Sequence, residues 1–392
     1  MKQQPATKDP RKVEYLETTT LDEAFDRTEY LFKNYDNVWF AYSGGKDSQV
    51  CLEVADIVLK RLQKEGVRPP EEKVNVYFRD EEVIPPIVWE TCADAHQSGR
   101  WNFRYYAIPM ASRKFVLGEL VPFTMWDLNR EHIRTPPEFA ITSLYDKFGE
   151  VVDTSDLTQK DMDHLMFYDL KGSTVLCTGV RADESLARFG GVMANKSERC
   201  WLGTSAKQHI AKPIYDWTEI DIFKFMYDYD IEYCKTYNDL LWSGRSLRVS
   251  SSLHEMNSIH LDKLKGMYPE YYHQIIQIFP EMESQTRYWK DYNSTGALKM
   301  YDPSFDGLRK YCHDKVGEQP DLLAKYLHYV GACEKARNNK IERQGHAKNL
   351  GGYPILYVFN NLLKGSWFKD GASPMKDMDI SPEHHEYERG GI

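Results

Sequence analysis

Apolar positions along the first 110 residues switch between two periods. Thr20 and Glu23 form a capping-box pair. Leu21, Ala24, Phe25, Leu31, Phe32 and Tyr35 then follow as one stripe, which predicts a helix that stops at residues 34–37. Residues 38–42 are a short apolar run of β-formers, the pattern of a strand buried on both faces. A glycine loop follows at once. Residues 47–63 then predict a helix with Val50, Cys51, Val54, Ile57, Val58 and Leu62 apolar, closed by the Gly66 and Pro69-Pro70 stretch. Residues 74–78 predict a second strand, ending in the acidic turn Asp80-Glu81-Glu82. A helix over 86–96 and a third strand over 103–108, ended by Pro109, complete this part.

Strands alternating with helices predict an α/β fold with a doubly wound parallel sheet of about five strands. Residues 110–170 interrupt the alternation with Trp126, the break Arg134-Thr135-Pro136-Pro137 and several short helical patterns. They read as an insertion over one end of the sheet. Residues 174–178 resume as a buried strand, and 181–189 are charged and helical or loop-like. Residues 210–214 predict a short edge segment, and 216–227 a helix with Thr218 or Asp216 at its cap. Beyond about Ser246 the alternation fades. Met267, Tyr271, Ile275, Ile278 and Phe279 are spaced as a packing face, so residues 253–345 predict a mainly helical region. The expected organisation is a polar lead-in over 1–19, an α/β domain over 20–250, a helical region over 251–369 and a loose tail over 370–392.

Composition narrows the class. The chain has 392 residues, 42% of them hydrophobic, enough for a full core. Its formal charge is 50 − 59 = −9, which argues against a surface coated in base. The polar start lacks an apolar signal segment, and no apolar run of about 18 residues predicts a membrane span. The seven cysteines (51, 92, 177, 200, 234, 312 and 333) lie apart, so no zinc or iron–sulfur spacing occurs. Reduced thiols in a cytoplasmic protein are expected. His384-His385 has no third metal ligand beside it.

The strongest chemical signal is Ser43-Gly44-Gly45-Lys46-Asp47-Ser48, between a buried strand and a helix. The glycines let backbone N–H groups approach an anion, and the helix start adds partial positive charge. Ser43 and Ser48 add hydroxyls, and Lys46 a mobile cation. The Walker spacing is absent. A second cluster is Gly179-Val180-Arg181-Ala182-Asp183-Glu184-Ser185 with Arg188, at the end of the strand over 174–178. Arg181 and Arg188 can fork onto phosphate or sulfate, Glu184 can orient one of them, and Ser185 can donate. Strand ends in open α/β sheets are ligand positions. A third element, Lys212-Pro213-Ile214-Tyr215-Asp216-Trp217-Thr218, places Trp217 at a helix start as a core ring. Tyr237-Asn238-Asp239-Leu240 with Gly244 is a fourth.

Together these four elements resemble the phosphoadenosine phosphosulfate (PAPS) reductase-like family of the PP-loop adenine-nucleotide alpha-hydrolase superfamily. The resemblance covers roughly residues 20–250. It implies a nucleotide, ATP or PAPS, held by Ser43, Gly44, Gly45, Lys46, Asp47 and Ser48. Phe78 and Asp80 would lie near the base and ribose, and Gly179, Arg181, Glu184, Ser185 and Arg188 at an anionic group. Lys46, Asp47, Arg181 and Arg188 would be the catalytic residues, with Asp47 and Asp80 beside Mg²⁺. Many relatives end the second strand in Asp-Thr-Gly, whereas this chain reads Asp80-Glu81-Glu82. The family's C-terminal reducing motif Glu-Cys-Gly-[Ile/Leu]-His is missing, and so are its iron–sulfur cysteine pairs; that region reads Ser246-Leu247-Arg248-Val249-Ser250-Ser251-Ser252. Sulfonate reduction needs an accessible thiolate.

The expected activity is therefore an ATP pyrophosphatase or adenylating one, without iron–sulfur cluster or zinc. The arrangement is most similar to a branch with long C-terminal extensions (the DUF3440 type), found in bacteriophages and mobile elements, often beside a ParB-like partner. Two alternatives stay open: a nucleotide-gated transcriptional co-activator or DNA-associated regulator working with such a partner, and a genuine PAPS reductase. A homodimer is compatible with either. Lys335, Arg337, Lys340, Arg343, His346 and Lys348 form a positive run over 335–348 where DNA could bind, with Tyr353 and Tyr357 for stacking; a solvated helix face is the favoured reading of the run.

Overall fold

A computed structural model of the chain describes residues 16–157, 159–194, 199–202, 208–244, 249–289, 299–344, 347–364 and 373–390. The lead-in before Leu16, the Ser246 to Arg248 stretch and the Trp367-Phe368 pair lie outside them. Contacts divide the chain into two units. One comprises residues 1–112 and 123–252, the other 113–122 and 253–392.

In the first unit, α1 (Thr20–Asn34) starts one residue after the Thr19 cap, whose hydroxyl accepts from the Asp22 N–H. The capping residue is thus Thr19 and not Thr20, because Thr20 already has helical backbone. Then come β1 (Asn37–Ala41), α2 (Lys46–Lys64), β2 (Asn75–Arg79), α3 (Pro86–Gln97) and β3 (Asn102–Tyr106). A hairpin of β4 (Met110–Val116) and β5 (Glu119–Met125), whose residues 113–122 belong to the second unit, and the helix α4 (Gln159–Met166) occupy the stretch where the sequence predicts several short helices. Ile141 bridges in parallel to Tyr106, so the segment also covers the outer edge of β3. After β6 (Thr174–Cys177) come α5 (Leu186–Met193), β7 (Trp201–Leu202), β8 (Gln208–Ala211), α6 (Glu219–Asp228) and α7 (Thr236–Trp242). Thr218 caps α6 in a full capping box with Asp221.

The sheet runs β3-β2-β1-β6-β8-β7. The first five strands are parallel, and β7 is antiparallel to β8. The fold is therefore α/β with a doubly wound parallel sheet. β8 was expected at the edge, but the two-residue β7, too short to leave a sequence signal, takes that place. Phe40 at the centre of β1 is fully buried and registers with Val76 on one side and Cys177 on the other. A strand flanked on both sides and covered by helices needs an apolar run, which Val38-Trp39-Phe40 supplies. The chain steps outward from β1 through β2 to β3, then returns to the far side of β1 as β6. Winding reverses between β1 and β6, the position in an open α/β sheet beyond whose carboxyl strand ends ligands generally bind. The Ser43 loop leaves β1, and the Gly179 to Ser185 segment leaves β6, at that point.

The second unit is mainly helical. Helices Phe305–Val316, Pro320–Gln344 and Ile355–Lys364 enclose fully buried Cys312, Val330, Cys333, Val358, Phe359 and Leu362. The part of the tail expected to be loose contains a helix, Pro382–Glu388. Tyr387 is buried, and both Glu388 oxygens take hydrogen bonds from Arg337 at 2.8 Å. One buried ring and a forked ion pair anchor a segment that its polar composition marked as unattached.

Candidate anion-binding site

The loop between β1 and α2 is held by its own hydroxyls. Ser48 Oγ donates to the Gly45 carbonyl at 2.8 Å and accepts the Ser43 N–H at 3.2 Å; the Ser43 hydroxyl lies 3.1 Å from it. Gly44 has φ +69°, a left-handed backbone that suits glycine. Gly45 precedes α2 with no side-chain cap, so no hydroxyl or carboxylate of the cap residue satisfies the first-turn N–H groups of α2.

Three charged side chains meet at this helix start. Asp47 accepts from Lys46 Nζ at 2.9 Å on one carboxylate oxygen and from Arg181 Nε at 2.6 Å on the other. Lys46 also lies 3.3 Å from Glu219 at the start of α6. Arg181 Nη1 donates to the Trp217 carbonyl at 3.3 Å. Lys46 and Arg181 are both buried, so their charges act in a medium that strengthens them. Gly179 brings the two loops together: a Cβ there would sit 2.8 Å from the Asp47 carbonyl carbon and oxygen and 2.9 Å from Ser48 N. The structure thus joins the two sequence motifs into one cluster.

Glu184 organises the rest of the second motif. One of its oxygens accepts the Arg181 N–H at 2.9 Å, and the other pairs with the Arg188 guanidinium. Ser185 caps α5 by accepting the Arg188 N–H at 3.2 Å. Lys212 joins this positive neighbourhood, its ammonium 4.9 Å from the Trp201 ring centroid. Burial, reinforced by the charge of Arg188, holds that ammonium below its ordinary pKa. Trp217 is buried and donates from its indole N–H to the Thr20 carbonyl at 2.9 Å.

Phe78 and Asp80 belong to a different cluster at the end of β2. Phe78 is buried edge-on to Tyr105 at 4.9 Å. Asp80 accepts from the Tyr105 hydroxyl at 2.6 Å on one oxygen, and from Arg134 at 2.5 Å and the Glu82 N–H at 2.9 Å on the other. Glu82, fully buried with φ +57°, pairs with Arg130 and accepts the Trp126 N–H at 2.6 Å. The Arg134 guanidinium lies 4.7 Å from the Trp89 ring and 4.9 Å from the Trp126 ring. Arg130, Arg134 and Trp126 are site-neighbouring residues that sequence reading missed as such. Their carboxylate partners lie about fifty positions away, beyond any local pattern; the acidic turn itself was the one signal that cations had to come from somewhere.

Both oxygens of Asp47 and of Asp80 are occupied by protein donors, so this arrangement presents neither as an open Mg²⁺ ligand. Among the described residues, no group of three or more His, Cys, Asp or Glu side chains could hold a metal ion. Six cysteines are buried. Burial pushes the thiols of Cys51 and Cys312 up to about 12 and that of Cys333 up to about 11, and raises those of Cys92, Cys177 and Cys234. Cys200 is half-buried with its sulfur 3.0 Å from the Tyr35 hydroxyl. In the basic run, Arg337 is committed to Glu388 and to the Tyr353 carbonyl, and Lys335 is exposed. Tyr353 is buried and Tyr357 donates to the Ser373 carbonyl, so Tyr353 offers no ring for stacking. The side chains of Arg343, His346 and Lys348 lie outside the described residues.

No family model matches the chain. The uncharacterized protein YbdN of Escherichia coli (strain K12) is 23% identical over 243 residues, spanning 59% of this chain and 58% of that one. The chain thus matches less than two thirds of that relative's length. Among solved structures it is similar to Candida glabrata FMN adenylyltransferase in complex with FAD and inorganic pyrophosphate. That likeness has a TM-score of 0.37 and 12% identity, over 58% of this chain and 64% of the other. It is also similar to the PAPS reductase of Candida auris in a phosphate complex, at TM-score 0.33 and 12% identity over 62% and 99%. The U34-tRNA thiolase NcsA of Methanococcus maripaludis, at TM-score 0.31 and 14% identity, covers 67% and 79%.

Proposed function

We propose that the chain binds the phosphates of an adenine nucleotide at residues 43–48 and uses ATP as an adenylating pyrophosphatase. The observation that carries this reading is the joining of two anion-recognition loops at the sheet's switch point, with Lys46 and Arg181 held on one carboxylate, Asp47. A phosphate chain entering there competes for the same cations. Charge-assisted bonds to Lys46, Arg181 and the α2 amides then replace the ion pairs within the protein. The adenine part of the reading rests on the resemblance of Ser43–Ser48 to a PP-loop.

In the adenylating step an acceptor oxygen attacks the α-phosphorus. A phosphorus–oxygen bond forms, the α–β bridging bond breaks, and pyrophosphate leaves with its charge held by the loop. The acceptor's proton passes to solvent. Stabilisation of that developing charge is the main contribution of the protein. Mg²⁺ accompanies cellular ATP; Asp47, whose ion pairs with Lys46 and Arg181 the phosphates replace, would be the carboxylate to hold it, and the ion would neutralise phosphate charge there. Reduction of a sulfonucleotide is disfavoured by the raised thiols of the six buried cysteines, since attack requires a thiolate.

Titration with ATP and with PAPS, each with and without Mg²⁺, tests the reading. ATP binding with acceptor-dependent pyrophosphate release is expected. PAPS binding with thioredoxin-dependent sulfite release would overturn the adenylating assignment, and binding of neither nucleotide would overturn the site.

A further inference from the structure

The first amide of α2 is already occupied by a neutral oxygen. The Lys46 N–H donates to the Tyr237 hydroxyl at 2.9 Å. That hydroxyl lies directly over the loop: a Cβ on Gly45 would be 2.9 Å from it. Tyr237 sits on α7, is buried, and has Lys46 Nζ 5.6 Å from its ring centroid. Burial raises its phenol pKa, so the oxygen in the cradle is uncharged at neutral pH.

We infer that the Tyr237 hydroxyl is a built-in stand-in for a phosphate oxygen, which an incoming nucleotide displaces. The inference rests on the proposed nucleotide reading of the same loop. The Lys46 N–H is an orphan helix donor, and leaving it unpaired in a buried place costs free energy. Tyr237 satisfies it while the loop is empty. A neutral hydroxyl is a weaker acceptor than a charged phosphate oxygen, whose bonds are roughly twice as strong. The occupant therefore yields to a phosphate chain that also engages Lys46 and Arg181. A small anion making fewer contacts gains less against the same displacement. Tyr237 thus imposes the same displacement cost on every anion, which a nucleotide has more contacts to offset than free inorganic phosphate has.

The test compares the full-length chain with Tyr237→Phe, which keeps the ring and removes the oxygen. Calorimetric titration uses ATP and inorganic phosphate, and thermal unfolding checks that the variant is folded. The expected result is tighter binding in Tyr237→Phe, by roughly three- to tenfold for the loss of one competing hydrogen bond. Inorganic phosphate should gain at least as much as ATP. A merely structural role would weaken binding, so tightening separates the two. Stopped-flow binding gives a second readout: a saturating displacement step in the wild type should be lost in the variant. Equal or weaker ATP binding by a folded Tyr237→Phe, with the wild type still binding, would overturn the displacement role and leave the nucleotide reading intact. Failure of both proteins to bind ATP would overturn the nucleotide reading, and the inference with it.

Discussion

Asp47 shows how one residue can organise two others. Its carboxylate holds Lys46 at 2.9 Å and Arg181 at 2.6 Å, aligning two cations that would otherwise repel. The type and position of all three residues were legible in the sequence. Their meeting was not, because positions 47 and 181 are joined only through the pairing of β1 with β6. Gly179 is the contact that permits it. Gly179→Ala should place a methyl within 2.9 Å of the Asp47 and Ser48 backbone. Overpacking of that kind costs about 1–3 kcal/mol. A lower denaturation midpoint and weakened ATP binding are both expected. Unchanged stability and affinity would show that the two loops are not in contact. Arg181→Lys should also weaken ATP binding, since an ammonium cannot span Asp47 and the Trp217 carbonyl as the planar fork does.

At the scale of elements, β1, its loop and α2 followed from pattern because each signal is local: an apolar run, two glycines, then a helical stripe. The hairpin of β4 and β5 did not, since its strands are half-exposed and β5 carries Pro122. The end of β2 was half legible. Its acidic turn was visible, but the cations that neutralise it come from residues 130 and 134. Arg130→Met leaves Glu82 fully buried and without its charge partner. Breaking such a pair costs about 3–5 kcal/mol. Thermal unfolding should show a drop of many degrees, partly recovered by adding Glu82→Gln. A drop under about one degree would mean that the turn does not depend on the pair.

The whole molecule is an acidic chain with six of its seven thiols and many phenols buried. Its net charge of −9 says little about the site, where Lys46, Arg181 and Arg188 are each matched by Asp47, Glu219 or Glu184. No helix among the described residues is long and apolar enough to cross a membrane. Burial predicts the response to alkali. Cys51 and Cys312 are pushed from 9.0 up to about 12, and Cys333 to about 11. These thiols stay protonated in the folded chain while the unfolded chain ionises near pH 9. Their stabilising effect is therefore complete below pH 9 and lost as pH climbs through 11 and 12. Denaturant midpoints should be flat from pH 7 to 8.5 and fall between pH 9 and 11. A flat profile to pH 11 would contradict the burial of these groups.

The central claim is that residues 43–48 bind nucleotide phosphate. Calorimetric titration of ATP into the wild type and into Lys46→Ala tests it most directly. The account predicts one site per chain, with affinity lowered roughly tenfold or more in the variant, as loss of a charged hydrogen-bond donor requires. Equal affinity in the two proteins, or no binding by the wild type, would contradict it.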